Sequence, residues 1–154
     1  MYEMRRKDRQ IPNEEAIALL KQQQYGVLST MGRDGYPYGV PISFVYEDPG
    51  LITFHCAVEG HKIDNLAYCS KACFTVVGPT EPLPEQFSTR YISAICFGTL
   101  RELTGEEKVQ GLLKFGTKYA PQFLEKGAKY TQAAKDRTRV YEMQVEQLTG
   151  KARR

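Results

Sequence analysis

The chain has 154 residues, about the length of one domain with a substantial core. Its 21 basic and 18 acidic residues leave a net charge of +3, which is too small to indicate a nucleic-acid or membrane partner. No apolar run approaches the roughly 20 residues of a membrane-spanning helix and no secretory signal opens the chain, so we expect one soluble, cytoplasmic domain over residues 1–154. The four cysteines are predicted to be free thiols. Basic stretches at 4–9 (MRRKDR) and 151–154 (KARR) are predicted to be solvated termini.

The first third of the chain predicts a helix followed by a β-hairpin. Asn13 is expected to cap a short helix, which the polar run KQQQ ends before a strand begins at 25–30 (YGVLST). The GRDG turn at 32–35 joins that strand to a second one at 36–47 (YPYGVPISFVYE). Pro37 and Pro41 lack amide donors, so the second strand is expected at an edge, at a bulge or against a ligand.

The rest of the chain alternates between strand and helix patterns. Strands are predicted at 51–57 (LITFHCA), 71–78 (KACFTVVG), 90–103 (RYISAICFGTLREL) and 139–148 (RVYEMQVEQL), and a helix between the first two. Thr104 and Glu107 are expected to form a capping box before a helix to about Ala120, and Pro121 begins a second helical stretch. About six strands with inserted helices predict a mainly β chain, an antiparallel closed or nearly closed barrel rather than a doubly wound parallel sheet.

The window 54–66 (FHCAVEGHKIDNL) contains the only two histidines, His55 and His61, together with Cys56 and Lys62. We predict no metal site, because structural zinc needs four well-spaced ligands and the remaining cysteines do not supply them. A Cys–His nucleophile is disfavoured because no third residue to orient the pair can be identified. The glycines of the long helix do not form a phosphate loop or a dinucleotide fingerprint.

The second half of this window has the pattern of an anion site. Gly60 lies where strand gives way to helix, so the first helical amides are free to bind a phosphate, and Lys62 adds a positive charge in the first turn. A solvated lysine is the alternative. His55 alternates with buried neighbours along the strand, and simple packing is equally compatible with its pattern. Tyr91 and Ser93 share a face of the long strand, where the hydroxyl of Ser93 could donate to a ligand.

These motifs, in this order, resemble the pyridoxamine 5'-phosphate oxidase-related, FMN-binding split barrel proteins, and most closely the 5-nitroimidazole resistance group. The resemblance rests on YGVLSTMGRDGYPYGVPISFVYE, on the signature FH-x-A-x-x-GHK-x-DNL and on RYISAICFGTLREL, and it covers nearly the whole chain. It implies a six-stranded antiparallel split β-barrel with peripheral helices, and a homodimer with FMN at the subunit interface.

The resemblance also implies which residues bind the cofactor. The phosphate maps onto Gly60, His61 and Lys62. The isoalloxazine ring maps onto two strand segments, Val40, Pro41, Ile42 and Ser43 on one and Phe54, His55, Cys56 and Ala57 on the other. Tyr91 and Ser93 map onto the strand that approaches the flavin of one subunit or the other. His55 is the expected catalytic residue, with His61 on the phosphate side. Residues 121–130 match nothing specific and would form either a substrate pocket or a surface helix.

The implied activity is that of an FMN-dependent oxidoreductase. It would reduce a small aromatic or nitroaromatic, 5-nitroimidazole-like acceptor with electrons from a reduced nicotinamide or another donor. The alternative is a non-catalytic module that holds flavin or haem for storage, sensing or electron exchange. An F420-dependent relative is less favoured, because no additional basic residues match the long acidic tail of that cofactor.

Overall fold

The computed structural model describes residues 1–154, and one antiparallel sheet dominates it. Its strands are β1 (Gln10–Ile11), β2 (Tyr25–Met31), β3 (Pro37–Ser43), β4 (Val45–Glu47), β5 (Leu51–Ala57), β6 (Lys71–Val77), β7 (Glu81–Leu83), β8 (Ser88–Leu103) and β9 (Thr138–Arg153). The helices are α1 (Asn13–Gln22), α2 (His61–Tyr68), α3 (Gly105–Tyr119) and α4 (Leu124–Ala134). None of these helices combines the length and apolar composition that crossing a bilayer requires.

The sheet curls into a barrel that stays open along one line. The strand order is β3-β2-β6-β8-β9-β5-β4, so β3 and β4 end the ladder. Some Cα atoms of β3 come within 8 Å of β5, but no ladder joins the two strands. Six strands have seven residues or more, as the sequence predicted, and three short strands are added to them. The predicted fold class, a mainly β split barrel with peripheral helices, is confirmed.

The core lies inside the barrel because side chains alternate along each strand. Leu28, Phe54, Phe74 and Met143 point inward and are fully buried. Helix α1 adds an apolar face to the same core, with Ala16, Leu19 and Leu20 buried. Burying each large side chain contributes roughly 1.5–3 kcal/mol, so the interior rather than the helical layer supplies most of the apolar stabilisation.

The long strands β8 and β9 pair from Tyr91 opposite Arg153 to Leu103 opposite Val140, with one irregularity between Phe97 and Gly98. A Cβ atom added at Gly98 would lie 2.2 Å from the backbone oxygen of Gln144, so only glycine fits this close approach. The bulge bends the two strands and helps the sheet curl.

Helix α2 packs into the barrel core through Leu66, whereas helix α3 packs on the outside of the sheet. Helix α2 is held to β2 by a buried hydrogen bond in which Asn65 donates to Thr30 (3.0 Å). Helix α3 covers β5 and β9, where Leu112 packs with Leu103 and Val140. The outer faces of β5 and β9 are therefore partly covered by helix.

The end of helix α3 is fastened to the turn between β3 and β4. Lys118 donates hydrogen bonds to the backbone oxygens of Gln23 (2.7 Å) and Phe44 (2.8 Å), and its ammonium lies 3.9 Å from the centroid of the Phe44 ring. The hydroxyl of Tyr119 donates to the backbone oxygen of Gln24 (2.6 Å) and accepts from the amide of Phe44 (3.0 Å). We call Lys118 and Tyr119 the α3 latch.

Both predicted helix caps are wrong. Asn13 is the first residue of α1 rather than its cap, and Pro12 precedes it. Thr104 does occupy the cap position of α3, but its side chain makes no capping hydrogen bond. The carboxylate of Glu107 instead accepts two hydrogen bonds from Arg101 (3.2 and 2.8 Å), and such a charge-assisted pair is stronger than a bond to a neutral amide.

The prediction of a solvated carboxyl terminus is also wrong. Residues 151–153 complete β9, and Lys151 pairs with both Ser93 of β8 and Gln10 of β1. Ala152 is buried in the core. The basic residues at 151–154 suggested a polar tail. Alternation along β9, however, places Ala152 on the inner face, between basic neighbours on the outer face.

Candidate functional site

The residues expected to contact a flavin ring lie on the two strands that flank the opening of the barrel. Strand β3 pairs only with β2, and the ladder between β4 and β5 ends at Thr53. Residues 54–57 therefore have a ladder partner only in β9. Each strand has a backbone edge without a ladder partner at the opening, and such an edge carries free donors and acceptors.

On the β3 side of the opening, the four predicted residues divide between two faces. Val40 and Ile42 pack against the core, whereas Pro41 and Ser43 are exposed on the outer face. Pro41 is opposite Val27 of β2 and has no partner on its other side. Of the three positions expected for the proline-containing strand, the structure shows a sheet edge, where proline is tolerated.

On the β5 side, alternation also divides the predicted residues. Phe54 is fully buried and stacks on Tyr141, with ring centroids 5.6 Å apart. Cys56 points the same way and packs against the core. His55 and Ala57 share the outer face and are exposed. Phe54 and Cys56 thus offer a ligand their backbone rather than their side chains.

His55 opens into a cavity of about 660 Å³ between α3, α4 and the outer face of β5. The ring of Phe115 meets the imidazole edge-on, with centroids 4.6 Å apart and planes at 72°. His55 is exposed at the cavity, and the partial burial of its ring lowers its pKa below the ordinary 6.5. His55 is therefore a neutral imidazole at neutral pH.

Helix α2 begins with an uncapped turn. Gly60 precedes it with φ +139°, a conformation that disfavours other residues, and no side chain bonds to the first helical amides. Lys62 is half-buried and forms no ion pair, although Asp64 lies in the same turn. His61 stacks on Tyr38 of β3, with ring centroids 3.8 Å apart.

The two histidines are consequently in different surroundings. His55 faces the cavity under α3, while His61 packs on β3 beside the start of α2. Cys56 lies on the opposite face of β5 from His55, so the two do not form a nucleophilic pair. Burial raises the pKa of the Cys56 thiol, outweighing the opposite effect of Lys62 and Arg139. The thiol is therefore protonated and unreactive at neutral pH.

Tyr91 and Ser93 do not join this group of residues within one chain. They pair with Arg153 and Lys151 near the start of β8, whereas the end of β8 pairs with the segment of β9 beside Val140. Ser93 instead lines a small cavity beneath the amino-terminal residues, together with Ile95 and Phe97. The predicted common face of Tyr91, Ser93 and Ile95 is confirmed by the inward burial of their neighbours.

Sequence reasoning missed the helical wall of the cavity. Phe115 and Tyr119 stack in parallel (centroids 5.9 Å, planes at 11°), and their i, i+4 spacing on one helix face was the available signal. Residues 121–130 match no motif, yet Phe123, Leu124, Lys126 and Tyr130 line the same cavity. The stretch is an exposed surface helix that also forms one wall of the cavity.

The chain resembles several proteins of known structure. A candidate 5-nitroimidazole antibiotic resistance protein from Bacteroides thetaiotaomicron is 23% identical and has a TM-score of 0.70, with 92% of this chain and 85% of that chain covered. The FAD and heme binding protein from Mycobacterium smegmatis has a TM-score of 0.80 at 20% identity, covering 94% and 73%. The flavocytochrome Anf3 from Azotobacter vinelandii has a TM-score of 0.79 at 20% identity, covering 99% and 73%.

At these identities the three structures establish the fold alone. No protein with a curated functional description matches the chain. The family model for pyridoxamine 5'-phosphate oxidase, however, matches residues 12–152, which include every strand of the barrel ladder from β2 to β8 and nearly all of β9. The chain therefore belongs to the pyridoxamine 5'-phosphate oxidase family, as the resemblance of its motifs implied.

Proposed function

We propose that this protein is an FMN-dependent reductase of small aromatic or nitroaromatic acceptors, with electrons from a reduced nicotinamide or another donor. The observation that carries the proposal is the position of His55, which faces a largely apolar cavity of about 660 Å³ beside the opening of the barrel. Ligand sites are commonly concave, apolar and supplied with a few polar groups, and this cavity has those properties. Family membership and the flavin proteins of similar fold support the same cofactor class.

The start of helix α2 fits the phosphate of FMN. The amides of the first turn have no capping side chain, and the helix dipole favours an anion at this end. Lys62 has no ion-pair partner. The helix dipole alone disfavours a cation at this end of the helix. A phosphate monoester with about −1.5 to −2 charges would stabilise both features.

The opening between β3 and β5 fits the flavin ring. Its two backbone edges lack ladder partners, and Ala57 on the outer face lies between the helix start and His55. A flat group extending along this face from Gly60 would reach the mouth of the cavity. The bound flavin would supply the electron transfer, while these residues orient it and control access.

His55 is proposed to assist the acceptor rather than the cofactor. As a neutral imidazole it carries one N–H that can donate to an oxygen on which negative charge develops. Phe115 restricts the orientation of the ring and excludes water from one side. Removing one such hydrogen-bond donor to a developing negative charge typically lowers rates by about 10²–10³-fold.

The test compares two variants of His55 with the unmodified protein. His55→Ala should leave FMN bound and reduce turnover of a nitroaromatic by about tenfold or more, because the donor at the cavity wall is lost. His55→Gln retains an N–H donor and should recover part of that loss. Turnover is followed anaerobically from the absorbance of the flavin. Unchanged turnover in His55→Ala would contradict the assigned role.

The proposed reductase is a homodimer. The outer face of β8 exposes Ile95 and Phe97, which lie two residues apart, and Val77 of β6 is exposed beside them, opposite Ser93. Grouped apolar side chains on an exposed sheet face are typical of protein interfaces. Tyr91 and Ser93 are remote from the barrel opening of their own chain. A second copy packed on this face would bring them close to the flavin of that second copy.

The second candidate function is a module that holds flavin or haem without turnover. It is favoured by the similarity of the fold to the FAD and heme binding protein, which binds both groups. Anaerobic addition of NADH or NADPH separates the two functions, because a reductase loses its flavin colour and regains it with an acceptor.

The four free cysteines are compatible with a reducing compartment, and we place the protein in the cytoplasm on that ground.

A further inference from the structure

The charge distribution around the cavity of His55 is one-sided. The walls are formed by α3, α4 and the residues beside them, and Phe115, Phe123 and Tyr130 give them an aromatic character. Besides His55, two basic side chains, Lys126 and Arg137, line the cavity, whereas none of the lining residues is acidic. A volume of about 660 Å³ is more than a bare anion requires, so the ligand must fill an apolar space as well as satisfy charge.

The two cations are not neutralised within the chain. Lys126 forms no ion pair, and the hydrogen bond of Arg137 goes to the backbone oxygen of Ala133 (3.4 Å) rather than to a carboxylate. The acidic residues next to Lys126 and Arg137 in the sequence do not line the cavity. Glu125 pairs with Lys129, and Asp136 lines a separate pocket beside α3. An arginine and a lysine without partners at the edge of an apolar cavity are complementary to an anion, and guanidinium suits a carboxylate in particular.

We propose that this cavity binds a small aromatic carboxylate. The ring lies among Phe115, Phe123 and His55, and the carboxylate is directed toward Lys126 and Arg137. Aromatic pairs prefer edge-to-face or offset contacts, and the cavity offers both an imidazole and phenyl edges. This binding does not require flavin chemistry. Only the further step, that the bound acid is the acceptor of the reductase, rests on the proposed function.

The experiment measures affinity in the oxidised protein, with no reductant present. By calorimetry, 4-nitrobenzoate should bind about tenfold more tightly than its neutral isostere 4-nitrobenzamide, because each of the two exposed cations favours the carboxylate by about threefold. Arg137→Gln and Lys126→Gln should each reduce that preference by about threefold and together abolish it, while amide binding stays unchanged. Lys129→Gln is the matched control, a cation of the same helix outside the cavity, and should retain the full preference.

Three results would overturn the proposal. The first is equal affinity of the unmodified protein for acid and amide. The second is a preference that survives in the Arg137→Gln, Lys126→Gln double variant. The third is stoichiometric competition between FMN and 4-nitrobenzoate in flavin-free protein, which would make the cavity the site of the flavin itself. If the acid binds as expected but the reduced protein does not turn it over, the proposed reductase function fails and this inference stands.

Discussion

Lys118 is a single residue on which two properties of the molecule depend. Its ammonium is held by two backbone oxygens and the Phe44 ring, with no carboxylate nearby to compensate for burial. Burial lowers its pKa from 10.5 to about 8. Through the adjacent Tyr119, which stacks on Phe115, the α3 latch also fixes the helix wall that contacts His55.

This pKa predicts the direction in which stability changes with pH. Between about pH 8 and pH 10.5 the unfolded chain retains the Lys118 proton that the folded chain has lost, so the free energy of unfolding rises with pH across that window. Relative to Lys118→Met, the unmodified protein should gain about 1 kcal/mol across it, allowing for solvent screening. Urea unfolding of both proteins at the two ends of the window checks this. The account is contradicted if the free energy of unfolding of the unmodified protein, minus that of Lys118→Met, stays constant or falls between pH 8 and pH 10.5.

Single residues also show what alternation can and cannot predict. The inward positions of Phe54 and Cys56 and the outward position of His55 follow from a period of two along β5. The surroundings of His55 do not follow from alternation. Phe115 is 60 positions further along the chain, and it contacts His55 only because α3 packs over β5. The lowered pKa of His55 is thus a tertiary property.

At the scale of elements, the start of α2 depends on the backbone of one glycine. A Cβ atom at Gly60 would touch nothing within 4 Å, so any loss on substitution comes from its φ of +139° rather than from a clash. Gly127 is the useful comparison, because it lies inside α4 and also has free space around it. The same substitution at the two positions therefore separates backbone strain from helix propensity.

Gly60→Ala should destabilise the protein by about 1–2 kcal/mol and weaken FMN binding, because the strained residue tilts the first amides of α2. Gly127→Ala should instead stabilise it by about 0.5–1 kcal/mol, the difference in helix propensity. Thermal or urea unfolding measures both effects. Equal effects of the two substitutions would show that the conformation of Gly60 is not required.

The elements themselves were largely predictable, because β2, β3, β5, β6, β8 and β9 all carry a clear alternation or turn signal. The helix caps were not. Thr104 and Glu107 have the right spacing for a capping box, but Arg101, which comes earlier in the chain, captures the Glu107 carboxylate. Local patterns predict an element reliably until a residue outside it offers a stronger partner.

At the scale of the whole molecule, the outer face of β8 carries apolar side chains that the amino-terminal residues cover only in part. Phe97 and Ile95 lie in the middle of β8, where their side chains remain 42% and 37% exposed. Strands β8 and β9 are the two longest strands of the barrel. A monomer would leave these side chains in water. The homodimer that we propose would remove these side chains from water.

Phe97→Glu should convert this dimer into a monomer, because a charge would be buried at the centre of an apolar interface. Tyr130→Glu is the control, since Tyr130 is even more exposed (67%) but lies on α4, away from that face. Sedimentation or light scattering gives the mass. A Phe97→Glu protein that keeps the mass of the unmodified one would place the interface elsewhere.

The identity of the cofactor tests the central claim most directly. The proposed site for one phosphate and one flat ring rests on the uncapped start of α2, Lys62 and the opening between β3 and β5. The measurement is the absorption spectrum of the purified protein, with the mass of the group released from it. FMN at one per chain is the predicted result. FAD, haem or a colourless protein that takes up no FMN on addition would contradict the account.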